Sequence, residues 1–392
     1  MKFFTRILII VISTMMIAAC NMQSIDSPDP LSTTTALPTV STNPPTTITP
    51  LPLIQPVQLA WFWNSPRNEE LIPAVAESFD FFVFTSGDEE ERAQLRASSR
   101  SDMPVLQYML FNGVGVPENC EIRPYGNQIA NQRGDFCEIR DQHPDWLIYD
   151  NSGNMIYNDD RTYVRANPSN KEWRQFFATR LQQTQQAEGW DGVFLDNVDA
   201  SLGRSKRMGL TVPLFQTDAE LQAANEEMLA YLYLNYYQPS GRPMFANITF
   251  LKHEAIWYRY LRYLDGAMVE DFAVGWNSDY KEADQWEWQM NLVEGAQGMG
   301  KEVILVSQGE QNDTRRQEFA FASYLLVNQG NAYFRYSIAS EYNQLWLYNN
   351  YNIELGQPLG RRYQRGENWV REFEKGTVMV NPTELTSQII LN

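Results

Sequence analysis

The sequence predicts an α/β protein, a (β/α)8 TIM barrel with a long insertion after its third strand and a small C-terminal β extension. From residue 57 onward, eight short apolar runs alternate with longer segments of helical periodicity, a pattern typical of parallel sheets. An open doubly wound sheet is the competing architecture. No G-x-G-x-x-G turn follows the first run, which argues against a dinucleotide-binding version of that sheet.

Residues 1–20 are expected to be a lipoprotein signal peptide rather than part of the fold. Lys2 and Arg6 precede an apolar stretch that is too short to span a bilayer. The stretch ends in Ile17-Ala18-Ala19-Cys20, which resembles a bacterial lipobox. The resemblance implies cleavage before Cys20 and acylation of its thiol, with palmitate among the acyl groups. An ordinary secretory signal cut near Ala19 is the alternative.

Residues 21–56 are rich in Ser, Thr and Pro and contain few large apolar side chains. Such a segment buries too little apolar surface to offset the entropy lost on ordering, so we expect a disordered tether. Together with the lipid, it would hold an extracytoplasmic domain at the cell envelope. The lipid is the only membrane contact expected.

The barrel is predicted to occupy residues 57–341. Its eight strands are nearly continuous in apolar character, as expected for strands covered on both faces. The predicted strands are Gln58–Trp63, Phe79–Thr85, Met103–Phe111, Gly192–Asn197, Pro243–Thr249, Gly266–Asp271, Glu302–Gln308 and Asn331–Tyr336. The predicted helices are Asn68–Glu77, Glu89–Ala97, Lys171–Ala187, Asp218–Tyr236, Glu254–Tyr263, Lys281–Gln297 and Asp313–Val327.

Two segments extend this minimal barrel. Residues 112–170 form the insertion, and long loops at this end of a barrel usually shape the site. The insertion holds Cys120 and Cys137, which we expect to form a disulfide in an exported protein, with free thiols as the alternative. Residues 342–392 are predicted to form β-strands packed on the barrel.

Charge and residue counts exclude several functions. The 392-residue chain has a formal net charge of −17, which argues against nucleic acid as a partner. With two histidines, a zinc site built on several histidines is not expected, although acidic clusters could hold calcium. No G-x-S-x-G turn supports a Ser-His-Asp site. We expect a monomer without a metal or another cofactor.

Functional groups of such barrels lie at the carboxyl ends of the strands. The fourth predicted strand ends in Asp196, and the sixth ends in Glu270 and Asp271. A carboxylate at the tip of so apolar a strand is costly unless it has a function or a partner. Two carboxyl groups facing each other across the mouth are what glycoside hydrolysis needs. A helix N-cap is the alternative role for the acidic and amide side chains of the fourth strand tip.

Adjacent residues of a strand point to opposite sides, so only one of Glu270 and Asp271 can face the axis. We favour Glu270, because its side chain is longer. A desolvated mouth lined by Phe272 and Trp276 would also raise its pKa enough for acid catalysis.

The chain contains 11 Trp, 20 Tyr and 20 Phe. Aromatic rings at strand ends could stack on sugars while amides and Arg bind hydroxyl groups; packing and capping are the alternative roles. The candidate substrate-binding residues are Trp63, Asn112, Asn197, Asp199, Asn247, Asp271, Trp276, Gln308, Arg335 and Tyr336.

The runs HPDWLIYDNSGNMIY, RANPSNKEW, GWDGVFLDNVD, DGAMVEDF and REFEKGTVMVNP resemble glycosyl-hydrolase-like family 15, over most of residues 58–385. That family is similar to endo-polygalactosaminidase-like and α-galactosidase-like barrels. In the α-galactosidase type, an acidic nucleophile ends strand four and an acid/base ends strand six. The resemblance implies these roles for Asp196 and Glu270. The sequence departs from that type, because its sixth strand ends in Glu270 followed by Asp271, whereas those enzymes generally use Asp as the acid/base.

The expected function is hydrolysis of an extracellular poly- or oligosaccharide. Carboxyl groups about 5–5.5 Å apart would indicate retention, and about 6.5–9.5 Å inversion. The first alternative is a non-catalytic carbohydrate-binding lipoprotein on a degenerate barrel. A metal-dependent barrel hydrolase is a third, less favoured possibility.

Overall fold

The computed structural model describes residues 57–98, 103–124, 126–158, 160–276 and 278–392. The predicted signal peptide, Cys20 and the tether lie outside the described residues. Within the described ranges, no helix combines the length and the apolar character needed to cross a membrane.

Ten strands of the described chain form the first sheet. They are β1 (Ala60–Phe62), β2 (Phe81–Phe84), β3 (Val105–Gly115), β4 (Gln128–Ala130), β5 (Tyr163–Arg165), β6 (Gly192–Asp199), β7 (Met244–Thr249), β8 (Gly266–Val269), β9 (Glu302–Gln308) and β10 (Ala332–Ser337). Eight of them run parallel in the order β1-β2-β3-β6-β7-β8-β9-β10. The first and last of these meet through a bridge between Leu59 and Phe334, where the Phe334 amide donates to the Gln58 carbonyl over 2.8 Å. The predicted (β/α)8 barrel is confirmed.

Alternation along each barrel strand divides the core into two layers. The residues pointing inward include Phe62, Phe81, Leu106, Phe194, Phe245, Met268, Ile304 and Tyr333, all of which are buried. The intervening residues, such as Val193 and Leu195 of β6, pack against the surrounding helices. The barrel interior is therefore filled by side chains, and only the mouth at the carboxyl ends of the strands can hold a ligand.

Helices surround the barrel in the expected alternation. They are α1 (Ile72–Ser78), α2 (Glu89–Ala97), α3 (Asp135–Gln142), α4 (Lys171–Glu188), α5 (Gly203–Arg207), α6 (Asp218–Leu232), α7 (Gln238–Ser240), α8 (Glu254–Leu261), α9 (Ala283–Gly298) and α10 (Thr314–Val327). A capping box between Thr217 and Glu220 starts α6, and a π-helical turn at Tyr233–Tyr237 follows its end.

The insertion after the third strand begins later than predicted, because β3 continues to Gly115. It contains α3 and the short strands β4 and β5, both of which pair with β3. Cys120 and Cys137 are joined in a disulfide with a Cα–Cα distance of 5.8 Å. The insertion is thus anchored to the barrel by backbone pairing and closed by a covalent link.

The C-terminal segment forms a four-stranded antiparallel sheet. Its strands are β11 (Tyr363–Arg365), β12 (Asn368–Phe373), β13 (Gly376–Asn381) and β14 (Thr386–Leu391). Arg371 of β12 is buried and donates to the carbonyl oxygens of Leu325 and Asn328 over 2.9 and 2.6 Å. Because these carbonyls belong to the last turn of α10 and the residues after it, Arg371 fixes the sheet on the barrel.

Candidate active site

Two identical Asp-Gly pairs fix where β6 and β8 begin, and therefore how far their acidic ends reach toward the mouth of the barrel. Asp191 and Asp265 each accept a hydrogen bond from the first amide of the preceding barrel strand, Val105 (2.7 Å) and Met244 (2.9 Å) respectively. Gly192 and Gly266 follow. A Cβ on Gly192 would lie 2.2 Å from the Pro243 carbonyl oxygen, and one on Gly266 would lie 2.3 Å from the Phe245 ring. Only glycine permits this close approach.

Asp196 and Glu270 each stand four residues beyond the glycine of their pair. An even number of residues along a strand returns the side chain to the same face, so both acids follow Phe194 and Met268 onto the inner face of the barrel. The repeated motif therefore delivers two carboxyl groups to the mouth at matching depth.

The tip of β6 contains a bulge. The pairing of β6 with β7 shifts register between Leu195 and Val198, which leaves Asp196 and Asn197 in the bulge. Asn197 has a φ of 62°, a left-handed conformation that Asn tolerates better than most residues. Its side-chain oxygen accepts from Arg204 over 2.6 Å, and its carbonyl accepts from Asn112 over 3.2 Å. Both contacts hold the backbone beside Asp196.

Asn247 on the intervening strand β7 joins the two acids. Its Nδ2 donates to Asp196 Oδ1 over 3.0 Å and to Glu270 Oε2 over 2.8 Å. The two N–H bonds of a planar amide diverge by about 120°, so acceptors on near-linear hydrogen bonds of these lengths lie about 5 Å apart. One buried amide thus fixes the separation of the carboxyl groups.

A tyrosine holds each acid on its other oxygen. Tyr108 of β3 donates to Asp196 Oδ2 over 2.5 Å, and Tyr342 donates to Glu270 Oε1 over 3.2 Å. Gln308 contacts the Tyr342 hydroxyl and donates to the Glu270 carbonyl over 3.0 Å. Burial keeps the pKa of both tyrosines well above the usual range, so both remain donors.

The two carboxyl groups differ in charge state. Burial, reinforced by the negative charge of Asp196, raises the pKa of Glu270 to about 7. Burial also raises the pKa of Asp196, but hydrogen bonds from Tyr108, Asn247 and the Asn197 amide oppose that rise. Glu270 therefore retains its proton toward neutral pH, as a general acid must, and three neutral donors stabilise the ionised form of Asp196.

A cavity of about 850 Å³ opens beside this pair. Glu270, Asn247 and Asn197 line its base, and the half-exposed indole of Trp276 and that of Trp288 contribute to its walls. Arg204 and Arg207 line the cavity as well. Glu270 is thus accessible to a molecule of the size of a sugar, and Asp196 lies next to it behind Asn247.

The sequence profile described as hypothetical glycosyl hydrolase family 15 matches residues 98–377, more than half of the chain. The chain belongs to this family. A comparison with curated proteins finds no match.

Several solved glycoside hydrolases resemble this family 15 protein. The glycoside hydrolase domain of PelA from Pseudomonas aeruginosa has 14% identity and a TM-score of 0.49, with 74% of this chain and 97% of that chain covered. The acarbose complex of a Geobacillus thermoleovorans α-amylase has 10% identity and a TM-score of 0.47, covering 83% and 86%. A Lactobacillus brevis α-galactosidase has 12% identity and a TM-score of 0.44, covering 83% and 46%.

The structure places the two adjacent acids of the family 15 protein on opposite sides of the strand end. Glu270 faces Asp196, whereas Asp271 pairs with Lys281 over 2.6 Å and accepts from Gln289 of α9 over 2.9 Å. Asp271 still lines the cavity, but its carboxyl group has other partners.

Asp199 is buried and forms ion pairs, and its carboxylate is not exposed. It is 1% exposed and pairs with Arg165 over 2.7 Å and Arg204 over 3.0 Å, and it accepts from Thr249 over 2.7 Å. The carboxylate is enclosed by these groups and does not line the cavity. Helix α5 has no side-chain N-cap, so the acidic and amide residues of the β6 tip do not cap it.

The remaining candidates divide into two groups. Trp63 packs on Tyr108 at 5.5 Å between ring centroids, and Asn112 lies beside the β6 tip. Arg335 is buried over Trp61 and donates to backbone carbonyls, and Tyr336 packs in the outer layer with its hydroxyl near the Glu310 carbonyl. The structure brings the first two to the mouth and takes Arg335 and Tyr336 away from the acid pair.

Sequence reasoning missed three functional candidates. Tyr342 lies after the last barrel strand, where a search of strand ends does not look. Arg204 and Arg207 belong to the run GRSKR just after β6, and this basic cluster beside an acidic strand tip was a signal that could have found them. Across the described residues, no group of three or more His, Cys, Asp or Glu side chains is placed to hold a metal ion.

Proposed function

We propose that this protein is a retaining glycoside hydrolase in which Asp196 is the nucleophile and Glu270 the acid/base. The observation that carries the proposal is the amide of Asn247, which donates to both carboxyl groups. The resulting separation of about 5 Å falls in the range of retaining enzymes, and leaves no room for the intervening water that inversion needs.

In the first step, an oxygen of Asp196 attacks the anomeric carbon while Glu270 transfers its proton to the glycosidic oxygen. The bond to the leaving group breaks and a glycosyl ester of Asp196 forms. In the second step, Glu270 removes a proton from water, and the oxygen of that water displaces Asp196 from the anomeric carbon. Asp196 is released as a carboxylate and Glu270 is protonated again.

The charge coupling of the pair suits this exchange of roles. The negative charge of Asp196 helps to keep Glu270 protonated for the first step. Once Asp196 has become an ester, that charge is gone and the pKa of Glu270 falls. Glu270 can then act as the base that the second step requires.

Two polar groups at the mouth support a sugar site at the acid pair. The indole nitrogen of Trp63 and the side-chain oxygen of Asn112 are buried and lack a hydrogen-bond partner among the described residues. Sugar hydroxyl groups can both donate and accept, so a bound sugar could satisfy the two atoms.

The proposed substrate is an extracellular poly- or oligosaccharide. As part of the same proposal, the N-terminal sequence would anchor a monomeric enzyme through lipid on Cys20, outside the cytoplasm. These statements rest on residues 1–56, which lie outside the described chain.

The test uses the full chain purified in detergent and a panel of polysaccharides, with release of reducing ends as the readout and Glu270→Gln as the blank. We expect cleavage by the unmodified chain, and NMR of the first product should show the anomeric configuration of the substrate. A 2-fluoro sugar with an activated leaving group should add its mass to Asp196. A product of inverted configuration would refute the mechanism, and binding without cleavage would favour the carbohydrate-binding alternative.

A further inference from the structure

The cavity at the acid pair is one part of a longer groove. A second cavity of about 260 Å³ shares Arg204 and Arg207 with the first. A third, of about 890 Å³, shares Tyr157, Asn158 and Met208 with the second. Because they share lining residues, the three cavities lie side by side, from Glu270 past the short helix α5 and onto the insertion after β3, and we call this row of cavities the groove.

Arg207 occupies the junction of the first two cavities with an uncompensated charge. Its side chain is exposed and forms no ion pair with any described residue. The neighbouring Arg204 is different, because Asp199 neutralises it. Both guanidinium groups lie near the ring of Phe250, at 5.1 Å for Arg207 and 5.0 Å for Arg204 from the ring centroid.

The backbone fixes the ring of Phe250, which the Arg207 guanidinium group contacts. Phe250 has a φ of 53°, in the left-handed region that bulky residues rarely adopt. Its carbonyl accepts from Ser201 over 2.9 Å, and its ring lies 2.6 Å from where a Cβ of Gly203 would stand. Any larger residue at 203 would displace the ring. The ring that the Arg207 guanidinium group contacts is thus fixed in position.

Charged side chains line both cavities that meet at Arg207. Glu270, Asp271 and Asp284 line the first cavity together with Lys252 and Lys281, and Lys281 pairs with Asp271. Asp160 is the one carboxylate among the described lining residues of the second cavity, and it accepts from the Thr162 amide and hydroxyl over 3.1 and 2.7 Å. Three arginines line that cavity, in a chain whose net charge is −17. The junction is therefore a cationic position in an acidic protein.

We propose that the groove binds an acidic glycan, with Arg207 receiving a carboxylate or sulfate group of a sugar bound beside the cleavage site. The inference rests on the proposed function, since it names the substrate class of the same site. A guanidinium group donates to such oxyanions in a charge-assisted, bidentate geometry.

Binding is measured with Asp196→Asn in the full chain, using two matched pairs of probes. The first is polygalacturonate and the neutral polymer obtained by reducing its carboxyl groups; the second is dextran sulfate and dextran. We expect the acidic member of at least one pair to bind about 10- to 100-fold more tightly. The pair that responds distinguishes carboxylate from sulfate. The preference should weaken as salt is raised.

Arg207→Ala in the same background should remove that preference. Lys206→Ala is the matched control, because Lys206 is an exposed cation of the same helix that lines none of the three cavities. It should keep the preference. Equal affinities for acidic and neutral probes, or equal losses in the two variants, would overturn the inference.

The outcome separates this inference from the proposed function. Cleavage of neutral glycans without any dependence on Arg207 would leave the hydrolase standing and refute the anion site. Binding of acidic probes that depends on Arg207, in a chain that cleaves no glycan, would do the opposite.

Discussion

Two carboxyl groups three residues apart on β6, Asp196 and Asp199, have opposite surroundings. Asp199 faces two guanidinium groups, whereas the hydrogen-bond partners of Asp196 are the neutral side chains of Tyr108 and Asn247 and the Asn197 amide. A carboxylate paired with arginine is neutralised and held, and it has little nucleophilicity left. A carboxylate held only by neutral donors keeps its charge available. The same residue type thus forms ion pairs at one position, and at the other it has the surroundings that the proposed nucleophile requires.

The largest expected effect of this contrast is on catalysis. Asp196→Asn removes the attacking oxygen's charge, and we expect kcat to fall by about 10⁴-fold or more. Since Asn247 and Tyr108 can rearrange around an amide, the melting temperature should stay within a few degrees. Measurement requires a glycan cleaved by the unmodified chain. Substantial residual activity would exclude Asp196 as the nucleophile.

Asp199→Asn should act on stability instead. It leaves the buried Arg165 and Arg204 without their carboxylate, and removing one partner of a buried ion pair costs about 3–5 kcal/mol. Urea unfolding gives the change directly. If Asp199→Asn were as stable as the unmodified chain but inactive, the distinction between the two positions would fail.

The titration of Glu270 should make both the stability and the activity of the protein depend on pH. Its raised pKa means that the folded state binds this proton more tightly than the unfolded state, so stability is lost as pH rises from about 4.5 through about 7. The Glu270→Gln variant should not lose this stability, because glutamine has no carboxyl group to titrate. We expect it to be more stable than the unmodified chain by about 3 kcal/mol at pH 8 and equally stable at pH 4.

In the unmodified chain, kcat/KM should fall as pH rises through about 7, because Glu270 loses the proton it must donate. Removal of the Asp196 charge should lower the pKa of Glu270, which NMR titration of Asp196→Asn can detect. An alkaline limb far above pH 7 would argue against Glu270 as the acid.

The smallest effect is expected at Asp271. Its carboxyl group is about one-third exposed and pairs with Lys281 outside the acid pair, so Asp271→Asn should cost about 1 kcal/mol or less and reduce kcat less than 10-fold. Kinetics and urea unfolding measured beside Glu270→Gln would check this. A loss of kcat as large as that of Glu270→Gln would indicate that Asp271, and not Glu270, is the acid.

The barrel was predictable because each of its strands is a short and nearly continuous apolar run. Continuous apolar runs, each covered on both faces, leave little choice of secondary structure, and the boundaries of β9 agree with the prediction to the residue. Strand alternation also predicts that only one of Glu270 and Asp271 faces the axis, and the longer side chain was the reason to propose Glu270. The register shift at Asn197 was not predictable, since a bulge depends on pairing with β7.

The site was predictable only where it lies on strand tips. Tyr342 reaches Glu270 from a segment beyond the barrel, and no local pattern marks such a long-range contact. Arg335 and Tyr336 stood at a strand end and looked equivalent to Gln308. In β10 every residue is buried, so the apolar pattern could not tell which side chains face the mouth.

The dependence of Glu270 on Tyr342 has a consequence for where the functional unit ends. A boundary drawn after residue 341 would yield eight strands and both acids while omitting the hydroxyl group that contacts one of them. The segment after Tyr342 continues into the sheet that Arg371 attaches to α10, so the position of Tyr342 is linked to the packing of that sheet. Deletion of residues 342–392 would remove the hydroxyl group beside Glu270 and leave all eight barrel strands in the chain.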